Sequence, residues 1–120
     1  MPILKGNILL GKDDGDRILV GNENIIVGKE VVVSPFSLLD ASSGNIDIGD
    51  RSIIEEGVMI RTRVVKTIRG KPDGSPDYDV VTGDVVIGSD VVIGANSVID
   101  PNVVIKDGTN LAPNSWVWKD

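Results

Sequence analysis

Histidine and cysteine are both absent from this 120-residue chain. Without cysteine there is no disulfide, no thiolate metal site and no thiol nucleophile. Without histidine no side chain has its ordinary pKa near neutrality, so imidazole general-base catalysis and imidazole metal ligation are excluded. Aromatic residues are scarce, with one Phe, one Tyr and two Trp. No apolar run approaches the roughly 18 residues of a membrane-spanning helix, and no basic-then-apolar export signal opens the chain. Basic residues are the minority, 12 Lys+Arg against 18 Asp+Glu, for a formal charge of -6. Such a chain has no general attraction for nucleic-acid phosphates or anionic lipid, and neither is expected as a partner. Cytoplasm is the default expectation for its location.

What the chain has is valine and isoleucine in a strict period. Ile87, Ile93, Ile99, Ile105, Leu111 and Val117 stand six apart. Two residues before each are Val85, Val91, Ser97, Val103, Thr109 and Ser115, all small or β-branched. Three residues after the first five come Asp90, Asn96, Asn102, Gly108 and Asn114, the types that best tolerate a positive φ. Each hexad therefore reads as a short strand with two inward side chains, followed by a tight corner. A period of six fits neither an α-helix nor a heptad. The same phase holds earlier, in Val27, Val33 and Leu39 with Ile25, Val31 and Ser37. It continues in Ile48, Ile54 and Ile60 with Ile46, Ser52 and Val58, after a slip of three residues at Ala41–Gly44. Leu10-Gly11 and Val20-Gly21 read as degenerate hexads around a turn at Lys12–Asp16. The phase is lost from about Lys66 to about Val80. Residues 1–120 are expected to form a single domain with this off-phase loop.

The runs Val85-Val86-Ile87-Gly88-Ser89-Asp90, Val91-Val92-Ile93-Gly94-Ala95-Asn96 and Ser97-Val98-Ile99-Asp100-Pro101-Asn102 resemble the hexapeptide-repeat family. The resemblance covers about residues 20–118. It implies an all-β fold, a single-stranded left-handed parallel β-helix of about five coils with a protruding loop. Its coils hold three hexads, so Ile87/Ile105, Ile93/Leu111 and Ile99/Val117 should stack. It also implies a homo-trimer. The family includes acyl-CoA-dependent acyltransferases and γ-class carbonic anhydrases, whose general base or metal ligands are histidines. With no His here, neither site carries over, and fold alone does not supply a function.

Other residues bear on chemistry. Glu55 and Glu56 should lie outward at a corner, where a desolvated carboxylate could act as a base, although a solvated pair is the plainer reading. Asp13-Asp14-Gly15-Asp16 lacks the length and closing Glu of a calcium loop and reads as a turn, so no metal site is expected. The main local signal is a charge reversal. Arg61, Arg63, Lys66, Arg69 and Lys71 supply five of the twelve basic residues, with no acid from Gly57 through Pro72. A basic, protruding, partly disordered loop on an acidic body suits an acidic protein or a phosphate-bearing ligand. The residue before each inward aliphatic should face outward. There stand Ile26, Val32, Leu38, Ile53, Met59, Val86, Val92, Val98, Val104 and Trp116, a set that points to contact between subunits. Trp116 and Trp118 flank inward Val117 and suit either a cap on the open end or an anchor for a partner.

Three functions follow as expectations. The first is a non-catalytic oligomeric binding or assembly module without a cofactor, a role known among histidine-free members such as dynactin subunits. The second is an acyltransferase-like enzyme using a non-histidine base, or completed by another chain, with acyl-CoA between subunits and the basic loop at its phosphates. The third is a β-helix domain belonging to a larger protein.

Overall fold

The computed structural model describes residues 8–9, 18–68 and 70–119. Arg69, the Asp13–Asp16 segment, the Leu10-Gly11 hexad and Asp120 lie outside the described residues. Among the described residues fourteen of the sixteen strands wind as a parallel β-helix. They are β1 (Ile8–Leu9), β2 (Ile18–Val20), β3 (Ile25–Val27), β4 (Val31–Val33), β5 (Leu38–Asp40), β6 (Ile46–Ile48), β7 (Ile53–Ile54), β8 (Met59–Arg61), β11 (Val85–Ile87), β12 (Val92–Ile93), β13 (Val98–Ile99), β14 (Val104–Ile105), β15 (Asn110–Leu111) and β16 (Trp116–Val117). Between β8 and β11 lie β9 (Arg63–Ile68) and β10 (Asp77–Thr82).

The strands stack into three flat faces. The first is β3, β6, β11, β14; the second β1, β4, β7, β12, β15; the third β2, β5, β8, β13, β16. All neighbours within a face are parallel, and the faces stack about five coils. In the last two coils partners stand 18 residues apart: Val86 beside Val104, Val92 beside Asn110, Val98 beside Trp116. From β3–β5 to β6–β8 the interval is 21, for example Ile25 beside Ile46, so the slip at Ala41–Gly44 is absorbed within one turn. From β6–β8 to β11–β13 it is 39, because β9 and β10 leave the helix and return.

The core is the column of inward residues that the period picks out. Ile25, Val31, Val33, Leu39, Ile46, Ile54, Val58, Ile60, Val85, Val91, Ile93 and Ile99 have no accessible surface, and Leu111 and Val117 close the column half-buried. Ser37, Ser52 and Ser97 share the inward positions and are buried, each with its hydroxyl bonded to a main-chain carbonyl of the next coil. Asp90, Asn96, Asn102 and Asn114 all have φ between 56° and 67°, and Gly108 has φ 75°. These are the five corners that the sequence assigns to the left-handed region, and side chains able to bond their own backbone hold them there. Gly94 meets a different need. A Cβ there would lie 2.5 Å from the nitrogen of Pro113 and 2.6 Å from the carbonyl carbon of Ala112, so only glycine lets these two coils approach.

The off-phase segment corrects one expectation. It is an ordered antiparallel hairpin, wider than the expected 66–80 loop, with β9 and β10 in register from Arg63 opposite Thr82 to Ile68 opposite Asp77. At its tip the Asp73 carboxylate accepts bonds from the Ser75 N–H (2.9 Å) and hydroxyl (2.6 Å), which lowers the Asp73 pKa. A six-residue ladder satisfies the backbone groups that a loop would leave to water.

Candidate functional site

The hairpin leaves the β-helix after β8 and rejoins at β11, and β9 runs over the end of the third face. Between them is a cleft of about 510 Å³ lined by Arg61, Val64, Val65, Lys66, Thr67, Asp100, Trp116 and Trp118. Each residue has a local reason to be there. Asp100 follows β13 at the corner, pointing outward one position beyond inward Ile99. Arg61 ends β8, one coil earlier in the same column. Trp116 occupies the outward mid-strand position of β16, beside Val98. Lys66 alternates with Val65 and Thr67 on β9.

The floor of the cleft is an ionic and hydrogen-bonded unit. The Asp100 side chain is only 3% exposed. Its Oδ1 accepts a bond from Arg61 Nε at 2.7 Å and its Oδ2 one from Trp116 Nε1 at 3.1 Å. A carboxylate this buried needs such compensation, and both its oxygens have it. Arg61 is 26% exposed and spends only Nε on this bond. Above, Lys66 Nζ lies 5.8 Å from the centre of the Trp118 ring, within cation–π range.

The sequence-derived candidates are only partly brought together. Of the basic set, Arg61 and Lys66 share the cleft. Arg63 is exposed at the start of β9 and Lys71 in the hairpin turn. The apolar set divides between surfaces. Val86 and Val104 lie on the first face in line with Ile26, whereas Val98 and Trp116 lie on the third in line with Ile18, Leu38 and Met59. Trp118 belongs to the cleft. Glu55 is half-buried and Glu56 exposed at the corner between the second and third faces, outside the cleft lining.

Two features escaped the sequence reading. One is Asp100 itself. The other is Asp47, which interrupts the apolar line of the first face between Ile26 and Val86. Its pKa is raised, first by burial and second by the nearby Asp84 carboxylate, and its buried Oδ1 has no hydrogen-bond partner. The signal was available as an acidic residue at an outward mid-strand position where its stacked neighbours are apolar. Among the described residues no three acidic side chains converge to hold a metal ion, and no helix is long and apolar enough to cross a membrane.

Comparison with known proteins agrees with this architecture. Residues 84–117 match the family model described as bacterial transferase hexapeptide (six repeats). No curated protein matches the sequence. Among solved structures, AntD, an N-acyltransferase from Bacillus cereus in complex with dTDP and 3-hydroxybutyryl-CoA, aligns with a TM-score of 0.76 at 20% identity. The match covers 99% of this chain and 74% of AntD. A galactoside acetyltransferase in complex with coenzyme A aligns with a TM-score of 0.61 at 18% identity, over 94% of this chain and 58% of that one. At such identities the likeness is one of fold. Taken with the six-residue period, it shows a β-helix fold of stacked coils, with the hexapeptide repeat matched over residues 84–117.

Proposed function

We infer that this chain is the subunit of an acyl-CoA-dependent acyltransferase, in preference to a non-catalytic assembly module. The observation that carries the reading is the cleft between the hairpin and the third face. Its apolar walls and two basic side chains suit a ligand that is part organic, part phosphate. Both similar structures described above are acyltransferases holding a coenzyme A species, which supports the same choice. The reading includes a homo-trimer, supported by the outward apolar lines on the first and third faces, and a cytoplasmic location, where acyl-CoA is available.

The chemistry must proceed without imidazole. The acceptor's nitrogen or oxygen attacks the thioester carbonyl, the carbon–sulfur bond breaks, and the acceptor's proton ends on the thiolate to give free CoA. Among the described residues Asp100 is the only carboxylate lining the cleft, and both its oxygens are engaged, so it holds Arg61 and Trp116 rather than accepting a proton. A neutral amine can attack a thioester without prior deprotonation, whereas a hydroxyl needs a base. The fitting acceptor is therefore an amine whose proton passes to the leaving sulfur. Glu55 or Glu56 could serve only from the cleft of a neighbouring subunit.

Thiol release tests the reading directly. Because the chain contains no cysteine, a thiol-reactive dye counts only liberated CoA. Acetyl-CoA with a panel of amino sugars and amines should give acceptor-dependent release that falls when Lys66→Gln is introduced. If millimolar acyl-CoA neither raises the melting temperature nor is consumed with any acceptor, the binding-module reading replaces this one. The absence of histidine is the observation that favours that second reading.

A further inference from the structure

We propose that the outer face of the β9–β10 hairpin docks on the first face of a second copy of this chain, with Arg63 of one copy paired to Asp47 of the next. The proposal rests on the homo-oligomer in the reading above and is independent of its acyl-transfer chemistry. Four observations carry it.

First, the hairpin has one side that its own chain leaves in water. Val65 stands opposite Val80, Arg63 opposite Thr82 and Thr67 opposite Tyr78, so these six share a side of the ribbon. All six are exposed, with Val65 at 47%, Val80 at 50% and Tyr78 at 59%. Val64, Lys66 and Val81 alternate with them and are half-buried. Val65 and Thr67 also border the cleft, but the three from β10 do not. Adjoining β-branched and aromatic side chains in water mark a contact surface.

Second, the first face is complementary. Ile26, Asp47, Val86 and Val104 stack in one outward line, and its three apolar members are exposed. Asp47 Oδ1 is buried and accepts no hydrogen bond. β3, β11 and β14 contain no charged residue, and nearby Asp84 is another acid, its own Oδ1 taken by the Asn45 N–H. A cation from a second copy would satisfy the orphaned oxygen. The third face also has an apolar line, but its acid, Asp100, already holds Arg61 and Trp116.

Third, the charges match. Residues 63–82 carry four basic and three acidic side chains, net +1, and the whole chain carries -6, so the remainder carries -7. Among the described residues Arg63 makes no ion pair or hydrogen bond of its side chain. The hairpin of one copy is therefore drawn to the body of another. Fourth, the lengths agree. Four stacked strands span about 14 Å at roughly 4.8 Å each, and positions 63 to 67 span about 13 Å at roughly 3.3 Å per residue. With the hairpin laid along the stack and Arg63 on Asp47, the Val65–Val80 pair meets Val86 and Tyr78 reaches Val104. Two different patches meet, so every copy uses both, and closure makes a ring.

Sedimentation velocity of the full chain without ligand tests the contact. The parent should associate at micromolar concentration. Arg63→Glu and Asp47→Lys should each weaken association by about tenfold or more, the scale of one charge pair across an interface. The Arg63→Glu/Asp47→Lys double variant should regain most of the loss. Val80→Glu, at an exposed position, should also weaken association. Asp47→Asn should separate two roles, weakening association while leaving the dilute chain at least as resistant to denaturant as the parent. Circular dichroism checks folding, and if Asp47→Lys unfolds, the Arg63, Val80 and Asn variants carry the test. Because the chain has no cysteine, a short bismaleimide added to mixed Arg63→Cys and Asp47→Cys variants should join one to the other. A parent that stays monomeric at high micromolar concentration overturns the proposal. So does an assembly indifferent to Arg63→Glu and Val80→Glu, or a double variant no better than its worse single. An assembly that passes these tests but consumes no acyl-CoA upholds this contact and removes the acyltransferase reading. A chain that releases CoA as a monomer does the reverse.

Discussion

Replacing Asp100 by Asn should destabilise the protein by about 2 kcal/mol, and replacing Arg61 by Met should cost more. The reasoning starts from depth. Asp100 is 3% exposed and Arg61 26%. Asparagine keeps the volume of Asp100 but presents one acceptor oxygen and one NH2 group. It can satisfy either Arg61 Nε or Trp116 Nε1, and it turns a donor toward the other. Losing a hydrogen bond to a charged group costs about 1.5–3 kcal/mol, and here water reaches Arg61 and reduces that loss. Arg61→Met leaves the opposite situation, a carboxylate with almost no access to water and one remaining neutral donor. Breaking a buried pair this way costs about 3–5 kcal/mol where both partners are buried, so about 3 kcal/mol is expected here. The Arg61→Met/Asp100→Leu double variant should lose less than the sum of its singles, because no uncompensated charge remains. Guanidinium denaturation at pH 7 followed by circular dichroism measures all three. An Asp100→Asn variant within about 0.5 kcal/mol of the parent, or an Arg61→Met variant milder than Asp100→Asn, would refute the account of the cleft floor.

Three further outcomes are expected. Asp47→Asn should stabilise the protein at neutral pH. The raised pKa of Asp47 means that the folded state favours its protonated form, so stability is full below the ordinary value of 3.8 and is lost as pH rises through the folded value. The advantage of the variant should therefore vanish as pH falls below 3.8, and an advantage independent of pH contradicts the assigned cause. Gly94→Ala should cost about 1–3 kcal/mol or more, because the new methyl meets backbone atoms of Leu111, Ala112 and Pro113 that cannot move aside; thermal melting within a degree or two of the parent would contradict this. Asn114→Ala should cost about 1 kcal/mol and Asn114→Gly little, since φ is 64° there and the side chain is exposed; equal melting temperatures for the two would show that the corner conformation is not what the asparagine supplies.

The β-helix was legible because its rule is local. Ile87 to Val117 and the corners at Asp90, Asn96, Asn102, Gly108 and Asn114 recur at one interval, so each hexad repeats the same packing problem. The slip at Ala41–Gly44 showed as a simple change of phase. The hairpin is harder to read, because its charges mask its strand propensity. Arg63-Val64-Val65-Lys66-Thr67-Ile68 and Asp77-Tyr78-Asp79-Val80-Val81-Thr82 are rich in β-branched residues and flank a turn-forming Lys71-Pro72-Asp73-Gly74-Ser75-Pro76, yet they read as a polar loop. The Arg61–Asp100 pair was out of reach for a different reason. The two are 39 residues apart, and that interval becomes a contact only once the length of the excursion is known. Trp116 and Trp118 stand out in the sequence as a pair, but their surroundings depend on a hairpin whose course no repeat dictates.

That excursion has a consequence for how the molecule can change. The chain crosses from β8 to β11 without disturbing a single stacked register, so the detour joins two coils that already fit each other. Extending the connection from 18 to 39 residues costs only about 0.7 kcal/mol of closure entropy, because that cost grows with the logarithm of length. A different hairpin, longer, shorter or of other charge, can be inserted at Thr62 and Gly83 while the valine and isoleucine column stays as it is. One wall of the cleft, Val64 to Thr67, is therefore an exchangeable part, while Arg61, Asp100 and Trp116 stay on the invariant frame.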